Sequence, residues 1–146
     1  MPKHEDSIRE GARHVLRPGE EIVSALVVSP RGTSTAMAGG LAPGEIGARW
    51  SGKNRAAAES VGLVVQRNSG LVLTNERLLT LGLAISFTGG VKEVKELLSE
   101  VPIAQVDEIR SKWNVLTVNA GGTQFKLECK PPAAKAMAQA FEGAKA

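Results

Sequence analysis

The sequence predicts a mainly β domain of the α+β class, an antiparallel barrel or sandwich whose open end is filled by a C-terminal helix. Three observations lead to this prediction. Aliphatic residues alternate along much of the stretch from Val61 to Cys129, short turn-forming clusters separate the runs, and the last residues carry an apolar stripe at helical spacing. Strands joined by short turns pair antiparallel, because a parallel pair needs a long crossover. A chain of 146 residues has room for one such domain, spanning 1–146.

The N-terminal region is predicted to form a short helix followed by a strand. Ser7 and Glu10 have the spacing of a capping box, and Pro18-Gly19 follows as a stop signal. The run from Glu20 to Ser29 is rich in β-branched residues and has little polar content, which predicts a largely buried first strand. The apolar face of the helix contains Ile8, Ala12, Val15 and Leu16.

The middle of the chain has dense strand signals. Residues 61–67 and 71–74 flank Asn68-Ser69-Gly70, a turn cluster that predicts a hairpin. After Arg77 the aliphatic residues recur at every second position, so one strand face is expected in a core and the other under a thin cover. These aliphatic residues are Leu79, Leu81, Leu83 and Ile85.

Two further segments leave alternatives open. Residues 91–101 suit a helix through Val91, Val94, Leu98 and Val101, yet their second half equally suits a strand. The next three aliphatic residues are also three apart, which fits a strand only if a bulge shifts the register. These residues are Ile103, Val106 and Ile109.

The C-terminal part is predicted to be a hairpin and a helix. Residues 113–119 and 123–129 alternate on either side of Ala120-Gly121-Gly122. Pro131-Pro132 opens a final helix, because proline is accepted in the first helical turn. Its docking stripe contains Ala134, Met137, Ala138 and Phe141.

Composition narrows the class of protein. The formal net charge is +3, with basic and acidic residues interspersed, so the surface permits an anionic partner without requiring one. No apolar run approaches the roughly 20 residues that span a bilayer, and the charged N-terminus lacks the apolar centre of a signal peptide, which together predict a cytoplasmic protein. The single cysteine, Cys129, ends an alternating run and has no nearby histidine, so a core position is expected.

Several short segments resemble bacterial pleckstrin-homology domains. The segment 71–79, LVLTNERLL, is similar to the L-T-N-x-R-L segment of that family, and 16–21, LRPGEE, is similar to its L-x-P-G-E-E opening. Residues 101–106 and the Gly121-Gly122 hairpin with its following helix also match. The resemblance covers 16–30 and 61–142. It departs from the eukaryotic pattern at Phe141, where tryptophan is usual.

The resemblance implies a bent seven-stranded barrel capped by a helix, used for binding and assembly. It implies no catalytic residues and no cofactor, and some members of the family form homo-oligomers. Within the family segment, Arg77 attracts attention, but the simpler expectation is that Thr74 and Asn75 stabilise a turn while Arg77 pairs locally.

Residues 31–60 form a glycine-rich insertion between the first and second strands. Residues 47–53 match the phosphate-loop pattern G-x-x-x-x-G-K, but Asn54 stands where Ser or Thr should bind magnesium, and no buried strand precedes them. Nucleotide binding is therefore only a remote alternative. A second copy of the chain could instead pack on the apolar residues of the insertion, which are Met37, Leu41 and Ile46.

The same insertion contains the candidate contact residues for a lipid or protein partner. Tryptophan favours the headgroup layer and cations favour anionic lipid, although a solvated loop is the simpler interpretation of this segment. The candidate residues are Arg49, Trp50, Lys53 and Arg55.

Other chemistries have little support in the sequence. His4 and His14 lack the companions of a zinc site, and Asp107-Glu108 would point to opposite faces of a strand. With few aromatic residues, the stacking platform for nucleic acid is also missing. The sequence thus predicts a non-enzymatic module that binds a protein partner or itself. The alternative is weak binding to anionic lipid at the inner face of the membrane through residues 31–60.

Overall fold

The computed structural model describes residues 3–30, 52–66, 68–85 and 91–145. Two helices lie at the ends of the chain, a third lies between the first two strands, and seven strands form the sheet. In chain order the elements are α1 (Lys3–Ala12), a 3-10 turn (Arg13–Val15), β1 (Ile22–Pro30), α2 (residues 52–60), β2 (Ser69–Thr74), β3 (Arg77–Ile85), β4 (Val91–Pro102), a second 3-10 turn (Ile103–Gln105), β5 (Val106–Lys112), β6 (Val115–Ala120), β7 (Thr123–Glu128) and α3 (Pro131–Lys145).

The seven strands form one antiparallel sheet in the order β4-β3-β2-β1-β7-β6-β5. Strand β1 joins the two halves, because it pairs with β2 along most of its length and with β7 at Ser29 and Pro30. This arrangement confirms the predicted class, a small antiparallel α+β roll of seven strands with a short N-terminal helix and a C-terminal helix. In the part of the chain that the structure describes, no helix has the length and apolar character needed to cross a membrane.

The main core lies between the two halves of the sheet and the inner face of α3. Hydrophobic residues of the inward strand faces meet Ala134, Met137 and Phe141 of α3 there. Three residues of the predicted docking stripe are therefore buried, and the fourth, Ala138, is partly buried against the same core. Its buried residues are Leu26, Val28, Ala58, Leu63, Val65, Leu71, Leu73, Leu78, Val101, Val106, Ile109, Leu116, Val118, Phe125, Leu127, Ala134, Met137 and Phe141.

A second, smaller cluster lies on the other face of β1, β2 and β3, beneath α1. Ile8 and Ala12 of α1 pack there on Val72, Leu79 and Leu81. The alternating leucines of β3 face this helix and Leu78 enters the main core, so both faces of the strand are covered as the alternation predicted. Strand β2 is consequently buried at every position.

Three local predictions are corrected. Helix α1 begins at Lys3, so Ser7 lies inside it and is not its N-cap. Residues 63–66 do not pair in the sheet, although Leu63 and Val65 are buried, and β2 begins only at Ser69. The hairpin expected at 68–70 therefore does not form. Within the insertion, residues 52–60 are helical, and Ala58 packs in the main core.

The ambiguous segment 91–101 is a bulged strand. The β3–β4 register shifts at three places, so Leu81, Leu83 and Ile85 face Leu97, Val94 and Val91. Each shift inserts one extra residue into β4, which converts the period of two into a spacing of three on the α1 side. A further shift between Val106 and Glu108 confirms the bulge expected in β5.

The β6–β7 hairpin forms as expected around two glycines. Gly121 and Gly122 have φ values of +57° and +82°, a conformation that glycine adopts without steric cost. Ala120 pairs with Thr123 across this turn. The two-residue turn keeps β6 and β7 in register along their whole length.

Replacing Gly11 by alanine should destabilise the protein by about 1–3 kcal/mol through overpacking. A Cβ atom at Gly11 would lie 2.5 Å from Cβ and Cγ2 of Val94, so α1 must move away from β4. Urea unfolding of Gly143→Ala supplies the control, because nothing lies within 4 Å of that position in α3. The control should be stabilised by about 0.5–1 kcal/mol, and an equal gain in Gly11→Ala would contradict the tight α1 contact.

Candidate functional site

The most concentrated polar chemistry lies where the chain enters β1, around the side chain of Arg77. Arg77 is 4 % exposed and donates from Nε to Glu20 Oε2 (2.8 Å) and from Nη2 to Glu20 Oε1 (2.6 Å). Its Nη1 donates to Glu100 Oε2 (2.6 Å), and its Nη2 also donates to the Val15 carbonyl (3.0 Å). The expectation of local pairing is therefore wrong, because its carboxylate partners come from distant segments.

Thr74 completes this cluster from the β2–β3 turn. Its hydroxyl donates to Glu20 Oε2 (2.7 Å) and accepts from the backbone amides of Glu76 (3.1 Å) and Arg77 (2.9 Å). Thr74 therefore stabilises the turn as predicted, whereas Asn75 Oδ1 accepts from the distant Glu21 amide (2.9 Å) and links the turn to the segment before β1. The polar groups are directed at one another, and the cluster ties the segment before β1 to β2, β3 and β4.

The electrostatics of Glu20 follow from this geometry. Hydrogen bonds from Arg77 lower the pKa of Glu20 to about 2, against the opposing effect of burial. The reciprocal hydrogen bond with Glu20 raises the pKa of Arg77 further. Both groups therefore stay charged at neutral pH and neutralise each other, which is the behaviour of a structural ion pair.

Acid should weaken the Glu20–Arg77 ion pair in a defined pH range. Because the folded pKa of Glu20 is depressed, its contribution is fully present above the unfolded pKa of 4.5 and is lost as pH falls towards 2. Urea unfolding between pH 6 and pH 2 should show a smaller fall in the free energy of unfolding for Glu20→Gln than for the wild type. The exposed Glu59→Gln variant should follow the wild type, and equal curves for all three proteins would contradict the prediction.

Two of the four predicted contact residues of the insertion lie within the described ranges. Arg49 and Trp50 lie outside the described residues, as do residues 47–51 of the phosphate-loop match. Lys53 and Arg55 are exposed on α2. Between them, Asn54 Oδ1 accepts a hydrogen bond from the Lys126 amide of β7 (2.9 Å). This hydrogen bond fixes α2, which carries both cations, to the backbone of β7.

An open depression of about 420 Å³ lies beside the end of α2. Among the residues that the structure describes, Asp107 is the only charged one that lines it, and these residues contain no group of three or more metal-ligating side chains. The other lining residues are Ser60, Val61, Gln105, Ala120 and Gly121.

Trp113 is the exposed residue that sequence reasoning missed. It was assigned to a strand, but Lys112 pairs with Val115, so Trp113 and Asn114 form the two-residue turn between β5 and β6. Trp113 is 77 % exposed and has a φ of +52°. Its turn is fixed to the end of β7, since the amide of Cys129, the residue after that strand, donates to the Asn114 carbonyl (2.9 Å). The one available signal was Asn114, a residue type that favours turns, directly before the apolar start of β6.

Cys129 lies beside this turn, and its thiol has low reactivity. It packs against the main core and is half-buried. Burial, with a smaller contribution from Glu128, raises the pKa of its thiol to about 12. The thiol therefore stays protonated at neutral pH and is a weak nucleophile.

Comparison with known proteins adds no family to this description. No protein-family model matches the chain, and no curated protein matches it significantly. The pleckstrin-homology resemblance thus remains a prediction drawn from short sequence segments.

Proposed function

We propose that the protein is a non-enzymatic, pleckstrin-homology-like binding module that docks through Trp113 onto a protein partner or a second copy of itself. The exposure of Trp113 is the observation that carries the proposal. In the part of the chain that the structure describes, the other exposed large hydrophobic residue is Val23, at 36 %. An exposed indole has a large apolar area to bury and few rotors to immobilise, which makes tryptophan a frequent hot spot of interfaces.

The backbone of Trp113 supports a role beyond folding. A positive φ in a residue other than glycine costs about 1–2 kcal/mol, and only the first of the two turn residues has it. Two-residue hairpins with that pattern favour glycine at this position. Folding alone would therefore favour another residue at 113, whereas an indole on a rigid turn suits recognition.

The test is the Trp113→Asn variant, because asparagine tolerates positive φ better than other polar residues. Immobilised wild type and variant are incubated with lysate, and retained proteins are quantified by mass spectrometry. Light scattering measures self-association in parallel. We expect the variant to be at least as stable as the wild type and to lose the retained partner or the self-association.

The matched control is Val23→Thr, which makes the other exposed large hydrophobic residue of the described ranges more polar and should leave binding unchanged. If wild type and Trp113→Asn retain the same proteins and have the same mass in solution, the proposed function is wrong.

A second candidate function is binding to anionic membrane lipid through the insertion. The observation that favours it is the position of Lys53 and Arg55, which are exposed on α2 and held beside Lys126. Each cation near an anionic surface contributes about 1 kcal/mol, so the affinity would be weak and salt-dependent. Co-sedimentation with phosphatidylcholine vesicles containing 30 % phosphatidylglycerol should fall for Lys53→Glu/Arg55→Glu and stay unchanged for Lys92→Glu/Lys135→Glu. Equal sedimentation of both double variants would exclude this site.

A further inference from the structure

Two lysines flank Trp113, and together they define a compact basic surface. Lys112 precedes Trp113, and Lys130 follows Cys129, whose amide is bonded to Asn114. We call Lys112, Trp113, Asn114 and Lys130 the Trp113 tip. Both lysines are exposed, and no acidic side chain within the described ranges forms an ion pair with either. The tip therefore combines one apolar anchor with two positive charges.

The sheet face next to the tip has mixed charges. The cross-strand row Lys112–Val115–Glu128 borders the turn, and Glu128 adds a negative charge to it. In the next row on the same face, Arg110 pairs with Glu108 at 3.0 Å, and the exposed Lys126 adds a positive charge. A uniformly positive face would suit the even negative charge of a bilayer, whereas this mixture of signs suits a protein surface with charges at fixed positions.

We propose that the partner of the Trp113 tip is an acidic protein segment that has an apolar residue between carboxylates. The inference rests on the proposed function, which supplies Trp113 as the anchor. The indole packs against the apolar residue, and Lys112 and Lys130 pair with the flanking Asp or Glu side chains. Charges at the rim of an interface mainly set specificity, association rate and salt dependence, while the central aromatic anchor supplies most of the affinity.

The experiment uses a phage-displayed library of random 16-residue peptides. The library is selected on the full chain after depletion on Trp113→Asn, and the enriched peptides are synthesised and titrated at 50 and 300 mM NaCl. We expect enriched peptides to have excess Asp and Glu around an apolar residue. Their affinity should fall at least tenfold for Lys112→Glu/Lys130→Glu and at high salt, and should be unchanged for the control Lys92→Glu/Lys135→Glu.

The remaining outcomes separate this inference from the proposed function. Enriched peptides that depend on Trp113 but lack acidic residues, or that bind the charge-reversed variant equally well, overturn the acidic partner and leave the docking role intact. Selection that yields no Trp113-dependent peptide, together with Trp113-dependent binding to phosphatidylglycerol vesicles, assigns the tip to a membrane and overturns the inference. No dependence on Trp113 in either assay overturns the inference, and the proposed function falls with it if lysate capture and self-association are also independent of Trp113.

Discussion

Replacing Arg77 by alanine is expected to lower the free energy of unfolding by about 3–5 kcal/mol, because it leaves a buried carboxylate without its counter-ion. The side chain of Glu20 has no exposed surface, so water cannot replace the two hydrogen bonds that Arg77 donates to it. Arg77→Lys should be intermediate, since an ammonium group keeps the charge but cannot reproduce the forked contact. Urea unfolding at pH 7 measures all three proteins.

Arg17→Ala is the matched control for this prediction, because Arg17 belongs to the same charged cluster. Its side chain is half exposed and pairs with Glu100 at 2.9 Å, and exposed pairs of this kind contribute about 0–1 kcal/mol. Equal destabilisation by Arg17→Ala and Arg77→Ala would show that burial of the ion pair is not what makes Arg77 important.

Replacing Phe141 by alanine should destabilise the protein by about 3–5 kcal/mol, as expected when a large aromatic ring is removed from a core. Phe141 is buried in the main core together with Met137 and Ala134, so it fixes α3 against the sheet. Because α3 contacts both β1 and β5, loosening it should weaken the whole roll and not one strand alone.

Thermal and urea unfolding of Phe141→Ala and of the exposed Lys135→Ala provide the measurement. The control should stay within about 0.5 kcal/mol of the wild type, since surface substitutions seldom have larger effects. If Phe141→Ala unfolds with the same midpoint as the control, α3 does not close the roll in solution.

Elements with strong local signals were predictable. The Gly121-Gly122 turn and the helix that contains Met137 and Phe141 are each determined by the pattern of a few neighbouring residues, and both form as expected. Residues 63–66 were not predictable as unpaired, since Leu63 and Val65 alternate like a strand. The Val64 amide instead donates to the Ser99 hydroxyl (2.9 Å), a partner 35 positions away.

The polar cluster around Arg77 and the Trp113 turn show the same difference between local and distant interactions. The role of Thr74 in its turn could be predicted, because its hydroxyl accepts from amides only two and three residues away. The partners of Arg77 could not, because no local pattern relates it to Glu20, 57 residues earlier. The sequence pattern assigns Trp113 to a strand, and only the β5–β6 register shows that it lies in the turn.

The sequence by itself determined the antiparallel, mainly β class and the presence of a helix at each end of the chain. It could do so because alternation and helical spacing are properties of neighbouring residues. Only the tertiary structure decided which face each strand presents to which core, that α1 covers β2 and β3, and that Glu20 and Arg77 are buried together. Those outcomes depend on contacts between residues far apart in the chain, whose free energies arise only when the whole sheet has assembled.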